Sequence, residues 1–232
     1  MKSIQNLKCA RWVVWYVCLA HASISATAAN FYVNSFNDSS SVPADWNAVG
    51  GSAPGAIASW DGSQNSAPPA GGSMYVTVNW APQPVEWTWQ DYKICFGLPN
   101  PGPDATQYSA LTFDIKIDLA HSTPGTGTLG GVQPVIQNWN DGDPNYNWVG
   151  LGFFNFQNTG EWQHLSVPLG GFPLPIDRVV LNLFTLMPTD PQGPMSYWID
   201  NIQLAEVPEP GVLAILGLAV VSLTCRRFGG RY

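Results

Sequence analysis

Two stretches of this 232-residue sequence interleave indole rings with amides and carboxylates. Trp87-Thr88-Trp89 sets two indoles on one face of an extended strand, with Gln90 and Asp91 following. Gln137-Asn138-Trp139-Asn140-Asp141-Gly142-Asp143-Pro144-Asn145-Tyr146-Asn147-Trp148 alternates aromatic and polar side chains across a hairpin turn. Sugars present apolar C–H faces that stack on flat rings, and hydroxyls that need polar partners at the rim. The sugar-contact candidates are therefore Trp87, Trp89, Gln137, Trp139, Asn140, Asp141, Tyr146 and Trp148. The second stretch also reads as an Asx-rich turn with flanking core aromatics. Its Asp141-Gly142-Asp143 pair misses the full spacing of an EF-hand calcium loop.

Asp200 is the most informative carboxylate. In a regular strand Trp198, Asp200, Ile202 and Leu204 share a face, which aligns a charge with core side chains. Such a charge must be paired, neutralised or bound to a metal. Ala29 to Ala205 holds fourteen acids against three strong bases, Lys93, Lys116 and Arg178, a balance of −11. Two readings stay open. A hard divalent cation, calcium above all, takes carboxylate oxygens flexibly. Alternatively, Asp200 caps backbone amides or meets solvent.

Catalytic signatures are sparse. No Gly-x-Ser-x-Gly elbow and no His-Glu-x-x-His occurs. A glycosidase needs two carboxylates across the sugar bond. The only glutamates from Ala29 to Ala205 are Glu86, beside Trp87, and Glu161, beside Trp162 in what looks like a turn. A glycoside hydrolase using those two is the minor reading, and a protein without catalysis the main one. Cys95 is the one cysteine of this segment, and it reads as a buried thiol acting as a small hydrophobe.

The elements that must position these residues are short strands. Runs at Phe31–Phe36, Ala56–Trp60, Ser73–Trp80, Val85–Phe96, Ala110–Leu119, Gly131–Trp139, Trp148–Phe156, Gln163–Leu169, Arg178–Leu186 and Met195–Leu204 recur between Gly, Pro, Asn and Asp clusters. Helical periodicity is nearly absent. The pattern predicts an all-β, two-sheet antiparallel sandwich or jelly roll. Leu111, Phe113, Ile115, Ile117 and Leu119 share one face of a half-buried strand. Val179-Val180-Leu181-Asn182-Leu183-Phe184 is apolar on both faces, so it is a central strand or lines a binding groove. Most of the nine Trp in the segment are expected in the core.

The two ends read as addresses. Lys2, Lys8 and Arg11 precede the apolar run Trp12 to Ala20, and Ser25-Ala26-Thr27-Ala28-Ala29 supplies small residues for cleavage. Residues 1–28 thus read as a secretory signal peptide, too short in its apolar part to span about 30 Å of hydrocarbon. At the other end Pro208-Glu209-Pro210 precedes the fifteen-residue apolar run Gly211 to Cys225, followed by Arg226 and Arg227. As a helix this run would reach ~22 Å, a short transmembrane helix. This order resembles the PEP-CTERM sorting signal. The resemblance implies export from a Gram-negative bacterium and transient anchoring in the inner membrane. It further implies processing by an exosortase and a place at the cell surface or in the matrix among extracellular polysaccharide. The expected division is 1–28 signal peptide, 29–205 β-sandwich ectodomain and 206–232 sorting and anchor segment.

The ectodomain carries a second resemblance. Gly160 to Leu169, the apolar run Asp177 to Thr185, and the closing Tyr197-Trp198-Ile199-Asp200-Asn201-Ile202-Gln203-Leu204 look like the closing half of a galactose-binding-like jelly roll, as in many carbohydrate-binding modules. Asn34-Ser35-Phe36-Asn37-Asp38 is similar to that fold's first strand. The resemblance implies a structural calcium tying the first strand to the last, at Asp200 with Asn37 and Asp38. Asn37 stands where the family usually carries Glu.

Composition bounds the partners. The chain carries 16 Asp and Glu against 9 Lys and Arg, a net charge of −7, and only 11% charged residues. That excludes a basic nucleic-acid footprint and argues against disorder in a Trp-rich chain. Six of the nine bases lie in the two address segments. The acidity of the remainder disfavours anionic partners, so a neutral glycan is expected, or an acidic one through bridging cations. A structural matrix protein without sugar affinity is the alternative.

Overall fold

The computed structural model describes residues 29–39, 55–66, 71–82, 89–99, 101–138, 147–171 and 175–207. The signal peptide and the sorting residues Pro208, Glu209, Pro210, Arg226 and Arg227 lie outside them, as do Glu86, Trp87, Trp139, Asn140, Asp141 and Tyr146. Among the described residues no helix is long and apolar enough to cross a membrane.

Eleven strands are described: β1 (Phe31–Asn34), β2 (Gly55–Asp61), β3 (Ser73–Trp80), β4 (Gln90–Gly97), β5 (Tyr108–Ile117), β6 (Gly131–Asn138), β7 (Asn147–Gly150), β8 (Phe154–Asn155), β9 (Gln163–Pro168), β10 (Arg178–Thr185) and β11 (Gly193–Glu206). They build a two-sheet antiparallel β-sandwich within the compact unit Asn30–Glu206. One sheet, A, runs β2-β3-β11-β5-β9, with β1 also on β11; the other, B, runs β4-β10-β6-β7, with β8 on β6. The chain crosses between sheets at β3–β4, β4–β5, β5–β6, β8–β9, β9–β10 and β10–β11. Each crossing leaves one face of every strand dry, and the period-2 pattern follows.

The core is the sum of those dry faces. β3 supplies Met74, Val76, Val78 and Trp80, β5 supplies Leu111, Phe113, Ile115 and Ile117, and β10 supplies Val179, Leu181 and Leu183. Leu119 does not continue the β5 face. Asp118 caps a 3-10 turn over Leu119–His121, which rotates Leu119 out to 39% exposure. Phe36 lies beyond the end of β1, at φ 48°, an uncommon conformation for a bulky residue. The turn drives its ring fully into the core against Phe96, 6.1 Å away and edge-on. Of the six described Trp, Trp80 lies in the core and Trp60 packs against it.

β11 breaks its own alternation. Met195, Tyr197 and Ile199 point into the core, but so do Ile202 and Leu204. The register with β5 shifts between Asp200 and Gln203, and Asn201 takes φ 49°. This bulge reverses the side-chain parity. Trp198 and Asp200 therefore stand on the outer face of sheet A and do not align with Ile202 and Leu204.

Candidate functional site

The outer face of sheet B is a grid set by strand register. Directly paired residues point to the same side, and Val149, Ile136, Val179, Ile94 and Phe96 take the inner side. One transverse row on the outer side is therefore Trp148, Gln137 and Arg178, across β7, β6 and β10. The next is Gly150, Val135, Val180 and Cys95. A third is Gln133, Asn182 and Lys93, and a fourth Gly131, Phe184 and Asp91. Neighbouring strands are ~4.8 Å apart and rows two residues apart, ~7 Å. Polar rows thus alternate with an apolar one, and aromatic rings close both ends.

At one end Trp89 stacks on Phe184, with centroids 5.0 Å apart and planes at 12°. Phe153 meets Phe184 edge-on at 5.6 Å and Trp89 edge-on at 5.9 Å. Phe153 itself is 61% exposed. At the other end Trp148 is 39% exposed, and the Lys93 Nζ stands 5.6 Å from its ring centre. Lys93 also pairs with Asp91 at 3.1 Å.

Between these ends the floor is buried. Val135, Val180, Asn182 and Phe184 are almost wholly inaccessible. The Asn182 Nδ2 donates to the Gln133 Oε1 at 3.3 Å. Its Oδ1 is buried and has no hydrogen-bond donor among the described residues. A buried acceptor left without a donor costs about 1–3 kcal/mol. A Cβ added at position 150 would lie 2.7 Å from the Gln133 Nε2, so Gly150 leaves that amide its space. Cys95 is half-buried on this face and does not belong to the core. Burial pushes its thiol pKa up, and the positive charges of Arg178 and Lys93 oppose that rise.

Of the sequence candidates, the structure brings Trp89, Gln137 and Trp148 onto this face. Gln90 turns inward instead, and its amide is spent on the Ala81 backbone at 2.8 and 2.9 Å. The sequence pattern missed Phe153, Phe184, Gln133 and Lys93. The signal for Phe184 was present: Val180, Asn182 and Phe184 are the second face of a run apolar on both.

The outer face of sheet A carries a separate polar network. The Asp200 Oδ2 accepts from the Ser66 N and Oγ, both at 3.0 Å, and its Oδ1 accepts from the Asn201 N at 2.8 Å. Burial raises its pKa, and the facing Asp114 adds to the rise, while the donors from Ser66 and Asn201 oppose it. Asp114 in turn takes the Ser66 Oγ at 2.6 Å and meets the His164 Nδ1 at 2.7 Å. Asn37 is engaged elsewhere. Its Nδ2 donates to the Ser35 Oγ at 2.9 Å, and its Oδ1 faces Gly71, whose φ is +98°. Among the described residues no group of three or more His, Cys, Asp or Glu is placed to hold a metal ion. Asp200, with backbone donors on both oxygens, does not fit a calcium ligand set with Asn37. Nearby, Trp198 donates to the Asp61 Oδ2 at 2.8 Å and packs on Tyr75.

Glu161 sits exposed on the turn before β9, at the rim of an open groove of about 670 Å³ lined by Phe153, Gln157, Trp162 and His164.

No protein-family model matches the chain, and no curated protein matches it. Solved structures do. The chain is similar to the CBM22-1 xylan-binding domain from Paenibacillus barcinonensis Xyn10C, at 13% identity over 79% of this chain and 99% of that one, with a TM-score of 0.48. It is also similar to Caldicellulosiruptor saccharolyticus CBM27-1 in complex with mannohexaose, at 17% identity over 71% and 89%, with a TM-score of 0.45. A third likeness is to a structure from work on carbohydrate-binding modules of the β-sandwich superfamily, at 15% identity and a TM-score of 0.45. There it covers 68% of this chain and spans 56% of the other.

Proposed function

We propose that the outer face of sheet B binds glycan, and that the protein is a non-catalytic binder or organiser of extracellular polysaccharide. One observation carries this: two aromatic ends bracket rows of amide and charged side chains on a single sheet face. Trp148 and Phe153 offer exposed rings for sugar C–H faces. Gln133, half-buried on the same face, offers a hydroxyl partner between them. From the Arg178 row to the Phe184 row the face runs ~20 Å along the strands, a span suited to a chain of sugars rather than a single ring.

Export, exosortase processing, transient membrane anchoring by the C-terminal helix and release to the surface or matrix complete the proposal. They rest on the two terminal sequence patterns. Glu161 lies on an exposed turn, and Glu86, the second carboxylate of the glycoside hydrolase reading, lies outside the described residues.

Affinity electrophoresis on a panel of polysaccharides tests the reading, with tryptophan quenching as a second readout. Retardation that Trp148→Ala weakens is the expected result. No retardation and no quenching by any glycan would favour a matrix protein without sugar affinity.

A further inference from the structure

Only three strong cations occur between Ala29 and Ala205, and the fold puts two of them on the face proposed to bind glycan. Lys93 stands in the row with Asn182 and Gln133. Arg178 stands in the row with Gln137 and Trp148. The third cation, Lys116, is on the other sheet, over the Trp198 ring at 5.2 Å and bonded to the Gln64 Oε1 at 3.2 Å.

We infer that this face selects a carboxylate-bearing glycan, one containing uronic acid, and that Lys93 and Arg178 take the carboxylate. The inference rests on the glycan reading of the same face. Three features of the geometry support it. First, the Lys93 Nζ stands over the Trp148 ring, 5.6 Å from its centre, so a carboxylate on a sugar at the edge of that ring would fall within its reach. Arg178 lies two strands from Trp148 in the same row, ~10 Å away, about where a neighbouring sugar would come. A guanidinium is a planar fork that matches carboxylate geometry. Third, Lys93 and Arg178 stand on the neighbouring strands β4 and β10 of this face, with Lys93 sharing its charge with Asp91 at 3.1 Å. Cys95 lies in the row between theirs.

This departs from the expectation drawn from net charge. A balance of −11 repels polyanions at long range, but selection at a site is set by charges within a few ångströms. The two cations are a local exception to the field of the domain.

The test uses the full chain and matched probes: polygalacturonate, alginate and glucuronoxylan, each beside its carboxyl-reduced counterpart. Affinity is read at low and high salt, with and without chelator, for the wild type, Arg178→Gln and Lys93→Gln. The inference predicts tighter binding of at least one acidic probe than of its reduced form, by about tenfold or more at low salt, shrinking as salt is raised. It predicts that Arg178→Gln weakens binding of the acidic form more than that of its reduced counterpart, and so narrows that ratio. Equal binding of both members of every pair overturns it and leaves the glycan reading standing. A preference that chelator abolishes also overturns it, since bridging cations would then do the selecting. No binding to either member of any pair removes the glycan reading and this inference with it. Should Lys93→Gln fail to fold, Arg178→Gln and the salt dependence of the wild type still decide.

Discussion

Lys93 on β4 and Trp148 on β7 meet across two intervening strands, the Nζ 5.6 Å from the indole centre. The contact arches over β10 and β6, whose outward Val180 and Val135 are fully buried. A cation held over an aromatic face is worth about 0.5–1 kcal/mol when exposed and more when desolvated. The pair therefore orders the Trp148 end of the face.

Removing that ring should separate binding from folding. Trp148→Ala is expected to weaken glycan affinity by about 5–30-fold, or ~1–2 kcal/mol. Its melting temperature should change by no more than a few degrees, because the ring is partly exposed. Trp89→Ala should lower both affinity and stability, since its indole stacks on the buried Phe184. Calorimetric titration alongside thermal melts checks both variants.

Cys95 provides a native footprint of the site. Its thiol pKa is raised by burial, so alkylation near neutral pH should be slow. Bound glycan should slow it further, read on the Cys95 peptide by mass spectrometry. Unchanged labelling in saturating glycan would move the ligand off this face.

Asp118 and Asp200 should titrate on opposite sides of the ordinary value of 3.8. Burial pushes Asp118 up, but donation from His121, the Tyr75 hydroxyl and the Ala120 N outweighs it, and the net shift is down. Its contribution is thus present above pH 3.8 and lost as pH falls through the lower folded pKa. Asp118→Ala should cost about 1 kcal/mol at neutral pH, with the gap to wild type closing in acid. Asp200 behaves inversely: the fold disfavours its ionised form, and that penalty disappears as pH falls through its raised pKa toward 3.8. Carboxyl NMR titration reads both directions.

Chelation should leave the melting temperature unchanged. The Asp200 oxygens already hold donors from Ser66 and Asn201. A rise of several degrees on adding calcium, reversed by chelator, would restore the metal reading.

Phe113→Ala should destabilise by about 3–5 kcal/mol, as a fully buried ring leaves a cavity. Leu119→Ala should cost far less, because the capped turn has rotated it to the surface. Denaturant titration of the two separates the strand from its apparent continuation.

Much of the fold was legible because period-2 alternation is local. The alternation of Ser73–Trp80 marks its strand to the residue, and the β10 run is apolar on both faces. What failed were positions where one residue leaves the regular backbone. Asn201 at φ 49° reversed the parity of β11 and turned Asp200 outward, and the turn after Asp118 removed Leu119 from its face. Such breaks depend on hydrogen bonds made at a distance, as from Asn201 to Ser66 and Asp114.

The sequence by itself determined the class of chemistry: stacking rings, amides and few charges on a strand-built domain, since side-chain type and alternation are written residue by residue. It also determined the net charge of that domain. Only the tertiary structure decided which side chains share a face. Lys93, Gln133, Arg178 and Trp148 lie on four strands and become neighbours only through register, and that register set two scarce cations beside an exposed ring. Net charge sums over the whole chain, whereas recognition is decided by the few groups within contact distance, and pairing between distant strands chooses those groups.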